Sequence, residues 1–588
     1  GGYYFFFREQ KLRRHILLPK LKIMLRNLCY QTYYTIRQSF CQERPHMQVK
    51  LKKSLKNPQK RPQGFKIISI TTIEIRKRCC YNNCGFSKGG LLMKTREKTP
   101  RSGLLEKISH PIDLTQGTPW KVILRYSAPI ILSYLLQQIY VLTDAIICGQ
   151  VLTAEEVAGV NDTFPLTFIF LQFAFGCTAG FSVITAKCVG AADMKGARQS
   201  FVVQTYLSVA ISAFLTVVSF LSLPWMLRLI NVTPENAEVY NAAYNYCFVI
   251  FLGIIAQMGY NFICGILRAY GDSVTPLIFL VISTALNVGL DLLFLIPLDM
   301  GPTGAAVATV LAQAISVVIC AIYTFIRYED LRIRKEDWRV SGSYVSTHIK
   351  NGLPLGFQFS ILAVGILVMQ GSVVKFDLNE NGLMVAGTPA QNGFGAANKM
   401  INFLLAFYNG LGSAILGFNA QNYGKYRFDR VKKGLKQTWI LMLAFFALCF
   451  STAILLSIGG TYQHIFMSED KISEASIRFG NTYIYVDFIL YFILGFLVVT
   501  RSAVQGIFKP GYVLGAGIAE LGARILICCF LPAIVNGAPI TASASTASFA
   551  ALCFGDPGAW LAASVVLLFP TFKYILKEKD ARLKASKE

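Results

Sequence analysis

Two aspartates stand inside long apolar stretches: Asp144 closes Tyr140-Val-Leu-Thr-Asp144, and Asp291 closes Asn287-Val-Gly-Leu-Asp291. A threonine, Thr309, follows in Gly304-Ala-Ala-Val-Ala-Thr309. Residues four apart share one face of a helix, so Tyr140 aligns with Asp144 and Asn287 with Asp291. Ionisable groups inside hydrocarbon are costly and mark functional sites. Two carboxylates with amide and hydroxyl oxygens suit a small hard cation, and they suit a proton equally. Desolvation and like-charge repulsion oppose ionising both acids together, and Na+ or H+ would relieve that repulsion.

Other groups are weaker candidates. The side chains of Gln137, Tyr140, Gln257, Asn261 and Asn402 are of the kind that line a substrate pocket, although each is equally suited to joining helices. Lys399 falls midway along its apolar stretch, where an ammonium should face a wet cavity. Glu520 and Arg524 are four apart and are expected to neutralise each other as an in-helix pair. The five histidines (His15, His46, His110, His348, His464) form no HExxH or ligand cluster, and there is no phosphate-binding loop, which argues against an enzyme or an ATP-driven pump. Cys79, Cys80 and Cys84 lack zinc-type spacing, and cysteines such as Cys148, Cys177 and Cys528 read as small hydrophobes, so no metal, cofactor or disulfide is expected.

The elements that position these groups follow from composition. Of 588 residues, 54% are hydrophobic and 15% charged, with a mean hydropathy of +0.47, which points to a membrane as the solvent. A span needs about 20 apolar residues. Twelve such stretches recur, at 122–149, 157–189, 199–223, 239–264, 276–297, 304–327, 348–375, 384–423, 437–458, 475–500, 511–533 and 558–575. The expected fold is an all-α polytopic membrane protein. The net charge of +25 is lopsided: residues 1–92 carry +17 and the rest only +8, so no nucleic-acid partner is inferred. That leader reads as translated upstream sequence or a disordered tail ahead of Met93 and is expected to be dispensable. Beyond it, alternate loops hold 30 Lys/Arg on one side and three (Arg228, Lys375, Lys471) on the other, which places both termini in the cytoplasm of a plasma-membrane protein. At 1.5 Å per residue, Asp144, Asp291 and Thr309 all come to lie roughly 8 Å below the outer helix ends.

The chain is also doubled. Arg125-Tyr-Ser-Ala-Pro129 matches Lys350-Asn-Gly-Leu-Pro354, Gly176 matches Gly410, and Ala186-Lys-Cys-Val-Gly190 matches Ala420-Gln-Asn-Tyr-Gly424. Gly304 matches Gly558. Two six-helix pseudo-symmetric bundles are expected, over 93–327 and 348–576, joined by a basic linker at 328–347 and followed by a tail at 577–588. In the second bundle Met369, Ile527, Leu531 and Ala563 stand opposite Asp144, Asn287, Asp291 and Thr309, so the polar site is expected in the first half alone.

In its order of landmarks the sequence resembles the multidrug and toxic compound extrusion (MATE) transporters over roughly 120–575. The resemblance rests on the doubled plan, Tyr140-x-x-x-Asp144, Gly190-Ala191, Arg268-Ala-x-Gly271-Asp272 with Pro276, Asn287-x-x-x-Asp291, Gly304-Ala-Ala-x-Ala-Thr309, Gly395-Ala-Ala397, Gly410-Leu-Gly412 and Gln421-Asn422-x-Gly424. It implies two lobes around a cleft that opens alternately, exporting amphiphilic, often cationic compounds in exchange for Na+ or H+. It also implies that Asp144, Asn287, Asp291 and Thr309 form the cation site. Lys187 departs from the family pattern, where a neutral residue is usual, and residues 534–557 form an unusually Ala/Ser/Thr-rich loop. The expected partners are small amphiphiles and the bilayer, with the protein acting as a monomer. A related flippase of lipid-linked sugars is the alternative; it would present several cations to a pyrophosphate, and Lys399 and Arg524 are few for that.

Overall fold

A computed structural model describes residues 111–230, 232–467 and 472–577. The basic leader, Met93, His110, Lys471 and the tail from 578 lie outside them. One lobe is built from α1 (Pro119–Val151), α2 (Ala154–Gly190), α3 (Met194–Leu229), α4 (Ala237–Leu252), α5 (Ile254–Ala269), α6 (Val274–Leu295) and α7 (Gly301–Arg327). The second lobe follows a linker with two 3-10 turns. It comprises α8 (Gly342–Val374), α9 (Pro389–Gly424), α10 (Phe428–Ser457), the short α11 (Thr461–Phe466), α12 (Glu474–Ile489), α13 (Tyr491–Gly506), α14 (Pro510–Asn536), the short α15 (Thr546–Cys553) and α16 (Gly555–Thr571). Counting each bent pair as one, twelve spans are long and apolar enough to cross a membrane.

Local sequence explains the ends. Thr153 and Glu156 form a reciprocal capping box that starts α2, and Pro119, Pro389 and Pro510 begin α1, α9 and α14, where a missing amide hydrogen is harmless. Two expected spans turn out to be broken. The fourth bends by 43° at Gly253, between α4 and α5, and the tenth by 54° between α12 and α13, so both halves fracture in the same place. A side chain at Gly253 would collide with Val310 of α7, which ties the first break to tight packing. The eighth span starts at Pro389 rather than 384, because Leu378 and Met384 pair as an isolated β-bridge. The segment 534–557, expected to be a loop, carries α15, capped by the Ser545 side chain and packed on α12 and α14.

The lobes meet along α8 with α2, and along α9 with α1 and α2. Glycines set the distance. A Cβ at Gly176 would sit 2.5 Å from the Leu355 carbonyl oxygen, and one at Gly410 would enter the Ile131 side chain; Gly190 lies against Gln421, and Gly424 against Lys187. The repeated glycines therefore face each other's halves reciprocally. The contacts run from the ends that carry the basic loops as far as Tyr134 with Ser413 (3.3 Å) and Ser360 with the Ile169 carbonyl (3.2 Å). From Leu132 to Ile146 the residues of α1 are half-buried or exposed, and none is fully buried.

A strap ahead of α1 closes the basic end. Arg430 donates to the carbonyls of Leu114 (3.2 Å), Gln116 (2.5 Å) and Gly117 (2.5 Å), and Arg427 donates to that of Thr115 (2.6 Å). Lys425 reaches the Thr115 hydroxyl at 2.7 Å, and Asn422 the Leu114 carbonyl at 3.1 Å. Burial by itself would raise the Asp113 carboxyl, but the Thr115 hydroxyl and amide together with Lys425 hold it below the ordinary carboxylate range. Hydrogen bonds from a charged donor contribute about 1.5–3 kcal/mol each. Arg430→Ala should therefore speed hydrogen exchange of the 112–118 amides by at least about tenfold; unchanged protection by mass spectrometry would show that the strap is held by other contacts.

Candidate functional site

The sixth helix explains how the polar residues come to face inward. Its buried positions recur every fourth residue, at Phe279, Ser283, Asn287, Asp291 and Leu295, so one stripe carries both site residues into the lobe. Helix α7 offers small residues to that stripe, with Gly304, Ala305, Ala306, Ala308 and Ala312 buried, and this lets Thr309 approach. From α1, Tyr140 and Asp144 complete the group. Asn287 Nδ2 donates to Thr309 Oγ1 at 3.3 Å, and the Tyr140 hydroxyl shares a 3.3 Å bond with the same oxygen. The Asp144 and Asp291 carboxyls face each other. Asn287 is 1% exposed and Asp291 is fully buried.

The decisive feature is what these atoms lack. Asp144 Oδ1, Asn287 Oδ1 and both oxygens of Asp291 are buried without a hydrogen-bond donor. Buried polar atoms in folded proteins are nearly always partnered. Four hard oxygens from two acids and an amide are a donor set for Na+ or a seat for a proton. Cys148 and Tyr246 stand near Asp144 and pack in one apolar cluster with Ile147, Leu295, Val288 and Leu292. Tyr246 had no readable signal, since α4 lacks polar periodicity. Among the described residues no trio of His, Cys, Asp or Glu gathers as a metal centre.

The remaining candidates scatter. Gln137 is exposed two turns before Asp144 on the same face of α1; Gln257 and Asn261 are half-buried, one turn apart on α5, and Asn261 Nδ2 is partnerless. Asn402 donates to Asn398 of its own helix at 3.4 Å. Lys399 is exposed, lies three turns before Gly410 on the face of α9 that meets α1, and donates to the Phe466 carbonyl at 3.4 Å. The amides of α5 and the polar side chains of α9 thus belong to opposite lobes.

The expected Glu520–Arg524 pair is present as a long contact within a wider network. Their closest atoms are 3.9 Å apart, and each has a nearer partner: Arg501 bonds Glu520, and Arg524 bonds Asp556 at 2.5 Å. Tyr483 donates to Asp556 at 2.8 Å, and Asp487 lies fully buried beside Asp556 and Arg524. The buried charge of the second lobe thus extends beyond Glu520 and Arg524 to Arg501, Asp556 and Asp487, none of them at the positions that match the first-lobe site. One signal could have found part of this network. Tyr483-x-x-x-Asp487 repeats the spacing of Tyr140-x-x-x-Asp144, whereas Asp556 was hidden by placement in a loop.

The MatE family model matches residues 129–293 and 383–536, a segment in each lobe. The chain belongs to the MatE family. A relative in Bacillus subtilis, "Probable multidrug resistance protein YpnP", is 29% identical over 317 residues, covering 53% of this chain and 67% of its own. "Multidrug export protein MepA" of Staphylococcus haemolyticus is 20% identical over 357 residues, 61% of this chain and 75% of its own. A solved "outward-facing conformation of a multidrug resistance MATE family transporter of the MOP superfamily" superposes with a TM-score of 0.67 at 20% identity, over 84% of this chain and 100% of that one. That likeness establishes the MATE fold, with its twelve helices in two bundles.

The second-lobe network makes a definite demand. Exchanging Glu520 and Arg524 would set a cation against Arg501 and a carboxylate against Asp556, so the double swap should rescue nothing. In thermal unfolding, Arg524→Gln should cost about 3 kcal/mol or more, and Asp556→Asn should cost much less in that background than alone. Additive losses would dissolve the Arg524–Asp556 pair.

Proposed function

We propose that this MATE transporter exports amphiphilic, often cationic, small molecules in antiport with Na+ or H+, using Asp144, Asn287, Asp291 and Thr309 as the coupling site. The observation that carries this reading is the group of four buried oxygens without a donor. No neighbouring side chain compensates the two acids, so an exchangeable cation is the species that would balance them. Positive loops favour the cytoplasm; the strap at the basic end then seals the inside while the cleft opens outward, with both termini cytoplasmic and the chain acting as a monomer in the plasma membrane. Gln137, Gln257, Asn261, Lys399 and Asn402 border the path from the two lobes. The lipid-linked sugar flippase is not favoured: the relatives reported above are named as multidrug proteins, and Lys399 and Arg524 are each engaged by the protein itself.

Coupling follows from occupancy. A ligand shifts a conformational equilibrium only by its differential affinity for the two states. Cation binding relieves the Asp144–Asp291 repulsion where the site is formed, and it draws on a membrane potential worth about 2.3 kcal/mol per charge per 100 mV. Asp144→Asn and Asp291→Asn keep side-chain size, so a fluorescent cationic dye should still bind while gradient-driven export in proteoliposomes falls by at least about tenfold. Met369→Leu is the control and should export normally. Full export by both aspartate variants would remove the coupling role from this site.

A further inference from the structure

We propose that the strap ahead of α1 and the junction between α9 and α10 form a binding site for the phosphate of an anionic phospholipid. The site goes beyond the export reading, since neither the transported compound nor the coupling ion enters it. A cavity of about 750 Å³ opens at the basic end. Thr115, Gln116 and Gly117 of the strap line it on one side, and Lys425, Arg427 and Arg430 of the second lobe on the other. Its volume is in the range of small-molecule sites. Its wall is polar and cationic, which suits an anionic headgroup and not an apolar compound.

The three cations are held by neutral atoms. Arg430 bonds the carbonyls of Leu114, Gln116 and Gly117 and lies over the Phe418 ring, 5.1 Å from its centroid, so its plane is fixed. Its Nε is buried without an acceptor. Arg427 and Lys425 are exposed, and among the described residues each makes one side-chain bond, to the Thr115 carbonyl and the Thr115 hydroxyl. The rest of the guanidinium fork and of the ammonium hydrogens is left for a ligand. The strap's own acid, Asp113, accepts from the Thr115 amide (2.8 Å), the Thr115 hydroxyl (2.6 Å) and the Gln116 side chain (2.8 Å), and it balances one of the three cations. Counting exposed Asp429 as a second counter-charge still leaves positive charge in excess, and Lys432, Lys433 and Lys436 follow on α10. A phosphate would relieve the repulsion among these cations, and the guanidinium fork matches its oxygens.

Position selects a lipid over a free phosphate. The lining residues immediately precede the apolar stretches that begin at 122 and 437, and α1 contacts α10 there. Trp120, just after the strap, and Tyr426, between Lys425 and Arg427, are both exposed. Exposed aromatic rings of this kind sit at headgroup level, and basic pockets between helices beside the anionic leaflet take lipid headgroups. The lining also joins the two halves. The strap is tied to the first lobe through the Ile112 amide on the Gly271 carbonyl (3.0 Å), whereas the cations belong to the second. A bound phosphate would therefore favour the arrangement in which that end is closed.

Full-length protein in a nonionic detergent tests this with dioctanoyl-phosphatidylglycerol, dioctanoyl-phosphatidylcholine and inorganic pyrophosphate. Affinity is measured by calorimetric titration, and protection of the 112–118 amides by hydrogen exchange. Wild type should bind phosphatidylglycerol at least about tenfold more tightly than phosphatidylcholine, and the bound lipid should slow strap exchange by at least about threefold. Lys425→Gln combined with Arg427→Gln should lose at least about tenfold in phosphatidylglycerol affinity. Lys433→Gln combined with Lys436→Gln removes the same charge outside the cavity and should stay within about threefold of wild type. The proposal is overturned if wild type does not discriminate the two lipids, if both double variants weaken equally, or if phosphatidylglycerol leaves strap exchange unchanged. Binding of pyrophosphate without binding of phosphatidylglycerol would overturn the lipid assignment and leave a site for free phosphates. The two wild-type measurements decide the matter even where the pocket variant does not fold.

Discussion

The cost of a bare charge in hydrocarbon governs this protein. An ionisable group that cannot reach water must find a partner inside the bundle. In the second lobe the protein supplies them: Arg501 answers Glu520, and Arg524 answers Asp556, with Tyr483 as a further donor. In the first lobe it does not. Asp144 and Asp291 face each other with oxygens that no donor reaches. The same physical rule thus yields a hydrogen-bonded charge network in one half and, in the other, two facing acids whose oxygens no donor reaches. Asp487, whose carboxylate oxygens also lack donors, leaves the second network with one carboxylate more than its guanidiniums.

Geometry then decides how such sites can alternate. The duplicated glycines Gly176 and Gly410 admit Leu355 and Ile131 from the opposite half, so the lobes close most tightly near the basic ends. The strap over 112–117 adds charge-assisted bonds at that end. Toward the other face, α1 is half-buried or exposed along fifteen residues, 132–146.

Much of this was legible in the sequence because a membrane simplifies the reading. Apolar length gave the twelve spans, and i,i+4 spacing put Asn287 and Asp291 on one face, where α6 indeed carries them. Depth from the helix ends put Thr309 at the level of Asp144 and Asp291, and the structure adds its bonds to Asn287 and Tyr140. Spacing within one helix failed where partners come from other helices. Glu520 and Arg524 looked self-sufficient, yet tertiary packing offered each a shorter bond from α13 or α16. Helix breaks were equally hidden, because hydropathy runs unchanged through Gly253 and Leu490.

The central claim is that the first lobe's partnerless oxygens hold the coupling ion. Equilibrium uptake of radioactive sodium and of protons by purified protein tests it directly, comparing wild type with the combined Asp144→Asn and Asp291→Asn variant. The account predicts that wild type takes up a cation, Na+ or H+, that the variant does not, and that the two ions compete if both bind. A variant that takes up as much of both ions as wild type would contradict it.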